Sequence, residues 1–266
     1  MELTHVRYET KGPVATITLD REDARNAYSE EMIPSLMRAF DAAQADDAIR
    51  VAILTGAGTA FSAGGDLKAM RDRSGMFAGG PVELRTRYVD GIQRVPRRIR
   101  DFEKPLIAAI NGAAIGAGLD LACMCDLRIA SDRAKFGSTF VKVGLVPGDG
   151  GAYFLARAVG FSRALELMLT GRVIDGAEAV RVGLILETVP ASELMARAHA
   201  LAESIAENAP LAVRMTKRAA YRSLDTDFEG ALEMAASFQG MVQQSADHLE
   251  AVNAILGKRS PNFTGR

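Results

Sequence analysis

Two glycine-rich stretches carry the residue types that chemistry would need. Residues 116–120 read Gly-Ala-Gly-Leu-Asp, and residues 61–66 read Phe-Ser-Ala-Gly-Gly-Asp. Glycine lets a backbone approach a ligand closely. A helix opening at such a turn leaves its first N–H groups without intrahelical partners, a setting that favours negative charge. Asp120 falls in the first turn of the segment that follows, so donors and a carboxylate converge. Two such turns brought together could each give one N–H to a developing oxyanion, and losing one donor typically costs ~2.7–4 kcal/mol of transition-state stabilisation. Either turn taken alone reads first as a tight connection in an α/β sheet.

The surrounding elements must bring the turns together. Residues 106–110 (LIAAI), between Pro105 and Asn111-Gly112, are a short apolar run of the kind that forms a buried strand. Residues 51–54 form a second such run, so each glycine turn follows a strand and leads into a helix. Residues 3–19 alternate around Lys11-Gly12-Pro13 and predict a hairpin, and residues 20–28 (DREDARNAY) read as a polar loop. Ser29 is placed to cap a helix whose apolar face is Met32, Ile33, Leu36, Met37 and Phe40. Residues 71–82 look loose. A helix is predicted over 83–102, a strand over 127–130, helices over about 150–170 and a strand over 184–189.

From residue 191 the pattern is helical only, with a break at Asn208-Ala209-Pro210 and a capping box at Thr226-x-x-Glu229. The chain is thus expected to be an α/β core over 1–190 with a helical region over 191–266. The simplest use of that amphipathic region is packing against the core or a neighbouring subunit.

Composition limits the function. With 48% hydrophobic and 24% charged residues the chain is ordinary for a soluble globular protein, and a net charge of −1 supports neither a nucleic-acid nor a membrane partner. The arginines of RVPRRIR, residues 94–100, read as a solvated helix face before they read as the rim of an anionic ligand's site. No apolar run approaches a membrane span, and the first ten residues lack the apolar segment of a signal peptide, so a cytoplasmic location is expected. Cys123 and Cys125 are spaced poorly for zinc or a structural disulfide and are expected as buried thiols. His5, His199 and His248 lie outside the glycine-rich stretches. Neither glycine stretch completes G-x-G-x-x-G and no phosphate-binding P-loop occurs, which leaves a dinucleotide-dependent oxidoreductase as a weak reading.

FSAGGDLKAM, KPLIAAINGAAIGAGLDLACMCDLRIAS, VGLVPGDGGAYFLARAVG and LMLTGRVIDGAEAVRVGLI resemble, in order and spacing, the motifs of the crotonase (enoyl-CoA hydratase/isomerase) superfamily. The resemblance runs from DREDARNAY to KRSPNFTGR. It implies a spiral core of ββα turns, a C-terminal helical trimerisation region and a homotrimer or homohexamer. It also implies an acyl-CoA thioester substrate, with no metal and no cofactor beyond the coenzyme A that the substrate carries. By position it implies oxyanion donors at Ala63 and Ala117. Gly64, Gly65, Asp66, Leu67 and Phe140 would join them against the substrate, and Arg25 would lie against coenzyme A.

The hydratases of that family use two carboxylates. Asp120 matches the first, but the second position falls on Phe140, which cannot transfer a proton. Asp149, in VPGDGG, lies in a loop where some family members place a catalytic aspartate, although the matched position is Gly148. Asp149 either reaches the pocket or caps the next helix, and Asp66 is expected to order its own turn. Partial burial beside Phe140 and Leu119 should raise the pKa of Asp120 toward neutrality. One carboxylate suffices for a 1,3-proton shift, so the residues lean toward double-bond isomerisation with Asp120 as principal acid and base. Alternatives are hydration with Asp149 as the second acid, acyl-CoA hydrolysis by Asp149, and a non-catalytic acyl-CoA-binding homologue. Met70, Met76 and Phe77 would wall an acyl pocket or belong to the core.

Overall fold

The computed structural model describes residues 2–266. The expected hairpin forms as β1 (Val6–Lys11) and β2 (Val14–Leu19), antiparallel about Gly12 in its left-handed turn. Ser29 does act at the next helix, where its hydroxyl accepts from Met32 N–H at 3.2 Å. That helix is α1 (Met32–Ala45).

Three strand pairs follow. They are β3 (Val51–Gly56) with β4 (Ala60–Ser62), then β5 (Leu106–Ile110) with β6 (Ala113–Ile115), then β7 (Leu127–Ser131) with β8 (Lys135–Gly137). Between the first two pairs lie α2 (Leu67–Arg71), α3 (Pro81–Asp90) and α4 (Arg94–Arg100), and α5 (Ala117–Met124) follows the second. After the third come α6 (Gly151–Val159), α7 (Phe161–Thr170), β9 (Val173–Asp175), α8 (Gly176–Arg181) and β10 (Thr188–Val189).

The first member of each pair enters a six-stranded sheet of order β1-β2-β3-β5-β7-β10, and the second enters a four-stranded sheet of order β4-β6-β8-β9. All pairings from β2 to β10 across the large sheet are parallel, as are β4–β6 and β6–β8. This is the spiral of ββα turns that the resemblance implied.

The inner strands β3 and β5 of the large sheet are buried on both faces, which is why they read as unbroken apolar runs. Ala52, Leu54, Leu106, Ala108 and Ile110 face the main core with α1 and α5. Val51, Ile53, Ile107, Ala109 and Ile129 face the other way, onto Leu194, Ala198, Ala202 and Ala206 of α9 (Leu194–Ala206). The four-residue spacing of those small side chains puts them on one stripe, and alanine lets the helix lie close against the sheet. Beyond it run α10 (Pro210–Ser223), α11 (Phe228–Gln243) and α12 (Ala246–Leu256). No residue of α10 or α11 is buried, and Phe228, Leu232, Ile255 and Leu256 are exposed.

Several boundaries differ from expectation. The helix over 83–102 breaks into α3 and α4 at Gly91, whose backbone leaves the helical region. The strand over 184–189 is regular only at Thr188 and Val189; residues 184–187 follow the left-handed turn at Gly183, although Leu186 N–H already donates to Arg128 O at 2.8 Å. The capping box at Thr226 does not form. Asp227 caps α11 instead, accepting from Gly230 N–H at 2.7 Å. Both cysteines are buried and free, as read.

Candidate active site

Parallel pairing of β4 with β6 sets the two glycine turns side by side, with Ala60 opposite Ala113 and Ser62 opposite Ala114. Their approach is too close for side chains. A methyl group on Gly118 would overlap the Ser62 carbonyl, and one on Gly64 would overlap the Ile115 carbonyl. Gly64 also sits at φ +84°, where other residues are strained. The polar loop is tied to the same place. Buried Asn26 donates to Ala57 O at 2.9 Å and Ala60 O at 2.8 Å, while Ser62 Oγ donates to Asn26 O at 2.8 Å.

Hydrogen bonding within these turns corrects one expectation. Ala63 N–H is not free for an oxyanion, because it donates to Arg25 O at 2.9 Å. Gly64 N–H donates to Ser62 Oγ at 3.1 Å. Gly65 N–H and Ala117 N–H, the latter in the first turn of α5, donate to no partner among the described residues. Gly65 and Ala117 both border one cavity of about 40 Å³. Met70, Met76, Phe77, Phe140 and Tyr88 wall that cavity, and Met76 and Phe140 also pack against the main core.

Asp149 borders the cavity, and Asp120, which does not line it, is its buried neighbour. Asp120 projects from α5 and is 0% exposed; Asp149, in the loop before α6, is 2% exposed. No cation or side-chain N–H donates to any of their four oxygens. The two carboxyls are close enough to influence each other's ionisation. Burial pushes the Asp120 carboxyl well above the ordinary range, and the charge of Asp149 pushes it further. Burial also raises Asp149, and the neighbouring Asp120 offsets part of that rise. Of the two carboxyls, Asp120 is the one held further above the ordinary range and so the one that keeps a proton longer. Asp149 borders the cavity, so of its two sequence readings it is the pocket residue; it caps no helix.

Tyr28 was hidden in what read as a polar loop. It is 2% exposed, borders the cavity, and its hydroxyl has no partner. The only signal was an aromatic ring ending a run of polar residues just before the cap of α1.

The other candidates lie around this centre. Asp66 orders its turn, accepting from Lys68 N–H at 3.0 Å and Ala69 N–H at 3.2 Å, and it pairs with Arg21 at 2.9 Å. Those contacts, led by the Ala69 N–H, hold its carboxyl below the usual range. Leu67 is exposed beside it. Arg25 is exposed at a left-handed residue next to the Ala63 turn, and its guanidinium pairs with nothing among the described residues. The arginines of α4 serve the surface. Arg98 pairs with Asp41 at 2.7 Å, and Arg100 reaches Asp225 and Tyr153. None of the three histidines borders the cavity, and no group of metal-ligating side chains occurs among the described residues.

The chain is similar to known proteins over nearly its whole length. A short-chain-enoyl-CoA hydratase of Clostridium acetobutylicum is 37% identical over 260 residues, 97% of each chain. A 2,3-dehydroadipyl-CoA hydratase of Escherichia coli is 34% identical over 253 residues, 95% of this chain and 96% of that one. The crystal structure of an enoyl-CoA hydratase from Bacillus anthracis superposes with a TM-score of 0.93 at 34% identity, covering 99% of this chain and 100% of that one. The enoyl-CoA hydratase/isomerase family model matches residues 9–266. Paired glycine turns, a carboxylate in the helix they open, and likeness over the full length of the relatives lead to one assignment: the chain belongs to the enoyl-CoA hydratase/isomerase family.

Proposed function

We propose that this acyl-CoA-transforming enzyme moves the carbon–carbon double bond of an enoyl-CoA thioester. The observation that carries the reading is the buried pair of Asp149, which borders the cavity, and its neighbour Asp120, with burial raising both carboxyls and Asp120 the further. Asp149 removes a proton from the acyl chain, breaking a C–H bond and sending its electrons toward the thioester carbonyl. Gly65 N–H and Ala117 N–H, both without other partners, receive the developing enolate oxygen. The carboxyl pair then returns a proton two carbons along, so that one C–H bond breaks, one forms, and no water is consumed. Phe140 supports this reading over hydration, since it puts an apolar ring where a second carboxylate would hold water.

Hydration is the second reading. A base and an acid side by side are what syn addition of water requires, and the relatives named above are hydratases. The unpaired Arg25 beside the Ala63 turn suits a phosphate of coenzyme A. The exposed apolar residues of α11 and α12 suit packing between copies in a trimer or hexamer. No helix among the described residues is long and apolar enough to cross a membrane, and we place the enzyme in the cytoplasm.

Mass-resolved turnover of 2-enoyl-CoA and 3-enoyl-CoA in D2O tests the reading with wild type, Asp120→Asn and Asp149→Asn. Isomer carrying deuterium without hydrate, and lost in Asp149→Asn, supports isomerisation. Hydrate that needs both aspartates establishes the second reading instead. Tight binding of acyl-CoA with no product from any variant would leave a binding protein.

A further inference from the structure

We propose that the cavity framed by Arg50, Lys104 and Arg214, where β3 and β5 begin, is a second ligand site that binds a phosphate-type oxyanion. The site is independent of the reaction proposed above.

Arg50 immediately precedes β3, and Lys104 stands two residues before β5. The end of α9 lies beside them, α10 supplies Arg214, and residues 264–266 close the cavity from the C-terminal tail. The cavity holds about 180 Å³, against about 40 Å³ at the active site, and no residue lines both.

Four cations, Arg50, Lys104, Arg214 and Arg266, meet one side-chain carboxylate there, that of Asp47. Charge removed from water is normally paired. Lys104 is 4% exposed, yet its ammonium donates only to carbonyls, Ala43 O at 2.7 Å and Asp46 O at 2.6 Å. An ammonium has three donors, so one is left over. Arg50 likewise donates to carbonyls, Ala206 O at 2.9 Å and Phe263 O at 2.7 Å. Carbonyls satisfy donors and leave the charge uncancelled. Arg214 reaches one carboxylate, Glu103, at 3.9 Å, which is beyond hydrogen-bonding distance, and its buried Nε–H has no partner. Glu103 is also shared with Arg218 at 3.8 Å. Burial, and then the charge of Arg214, pull the Lys104 ammonium below its ordinary pKa.

The helix extends the same field. Arg214, Lys217, Arg218 and Arg222 recur at three- and four-residue spacing, so one face of α10 is basic. Asp126 neutralises Lys217 at 2.7 Å, but Arg222 pairs with no carboxylate among the described residues. A second cavity of about 190 Å³, lined by Lys217, Arg218 and Arg222, adjoins the first at Arg214.

A compact multivalent anion satisfies such a cavity. A guanidinium beside an ammonium matches phosphate oxygens in geometry and charge. An apolar ligand would leave the spare donors of Lys104 and Arg214 unmet. Bound there, the anion bridges four segments, before β3, before β5, on α10 and in the tail, and so ties the C-terminal region to the large sheet.

The test is titration of the substrate-free full chain with inorganic phosphate, followed by calorimetry and by Tm. Sodium chloride at matched ionic strength corrects for screening. Wild type should bind phosphate saturably, with a Tm that rises over the same concentration range. Arg214→Gln should weaken binding roughly tenfold or more, and Arg214→Lys less, because a charged hydrogen bond is lost in the first. Arg25→Gln, on the expected coenzyme A side, should leave phosphate binding unchanged. ADP is the second probe. Tighter binding of ADP than of phosphate, weakened in Arg214→Gln, assigns the cavity to a phosphoryl group on a larger molecule, and weaker binding assigns it to the free ion. If Arg214→Gln fails to fold, Arg266→Gln, which changes an exposed side chain, should weaken phosphate binding about threefold. Absence of saturable binding overturns the proposal. So does binding that is lost in Arg25→Gln and kept in Arg214→Gln, which would give the anion to the active site.

Discussion

Gly151 lies directly on the Asp120 carboxyl: a methyl group at that position would overlap the carboxyl carbon and both oxygens. The first residue of α6 thus forms the floor that keeps Asp120 buried and turned toward Asp149.

Gly151→Ala should therefore damage activity more than stability. Its φ is not in the left-handed region, so the change brings no backbone strain. Alanine gains up to ~1 kcal/mol of helix propensity over glycine, against ~1–3 kcal/mol for overpacking. A small net loss in Tm is expected. The displaced carboxyl should lower kcat about 100-fold, the order expected for a misplacement of about 1 Å. Near-wild-type kcat in a folded variant would show that Asp120 is not held by this contact.

Asp120→Asn should raise stability while it removes activity. Burial raises the folded-state pKa of Asp120 above its unfolded value, so the native state binds more protons across that interval. Stability then falls as pH rises from about 4 toward the raised value, at up to ~1.4 kcal/mol per unit. Asparagine does not titrate and abolishes the fall. Thermal unfolding from pH 4 to pH 8 should show the variant gaining on wild type as pH increases, and parallel curves would mean that Asp120 is not strained by its burial.

Asp66 offers the opposite sign. Its carboxyl is held low by the Ala69 N–H first, with Arg21 adding to it, so its stabilisation is complete above the unfolded pKa and lost as pH falls through the folded one. Asp66→Ala removes the cap of α2 as well, worth about 0.5–2 kcal/mol. Asp66→Asn keeps the cap and loses only the ion pair, so it should lie between the two in Tm. Because this turn adjoins Gly65, the alanine variant should also raise KM for enoyl-CoA, and an unchanged KM would separate the turn from substrate binding.

Much of this was legible because it depends on local pattern. The large sheet announced itself through apolar runs such as residues 51–54 and 106–110, which two-sided burial requires. The two glycine turns and Asp120 were readable for a similar reason, since close backbone approach leaves few residue choices. The small sheet was not, since strands of three residues such as β6 and β9 are too short to show alternation. Choosing among donors also lay beyond the sequence. Ala63 and Gly65 are two residues apart in one turn, and only the bond from Ala63 N–H to Arg25 O separates them. Asn26 escaped because its role is made by residues distant in the chain, Ala57 and Ala60.

Phe140 gives the sharpest discrimination between the two reactions. It opens a 3-10 turn over Phe140–Val143, is partly buried, and borders the cavity with Asp149 and Ala117. Phe140→Glu would place a third carboxyl at the position where the resemblance implies the second carboxylate of a hydratase. The removed ring leaves room for water and the new group can hold it, so the fraction of hydrate among the products should rise from 2-enoyl-CoA. Phe140→Leu opens some of the same space without a proton-transferring group and serves as the control. More hydrate in the glutamate variant alone would show that the missing carboxylate, and not the volume of the ring, limits water addition. Equal hydrate in both would assign that limit to the ring. If wild type already forms hydrate as fast as either variant, Phe140 does not exclude water and the Asp120–Asp149 pair is a hydratase's acid and base.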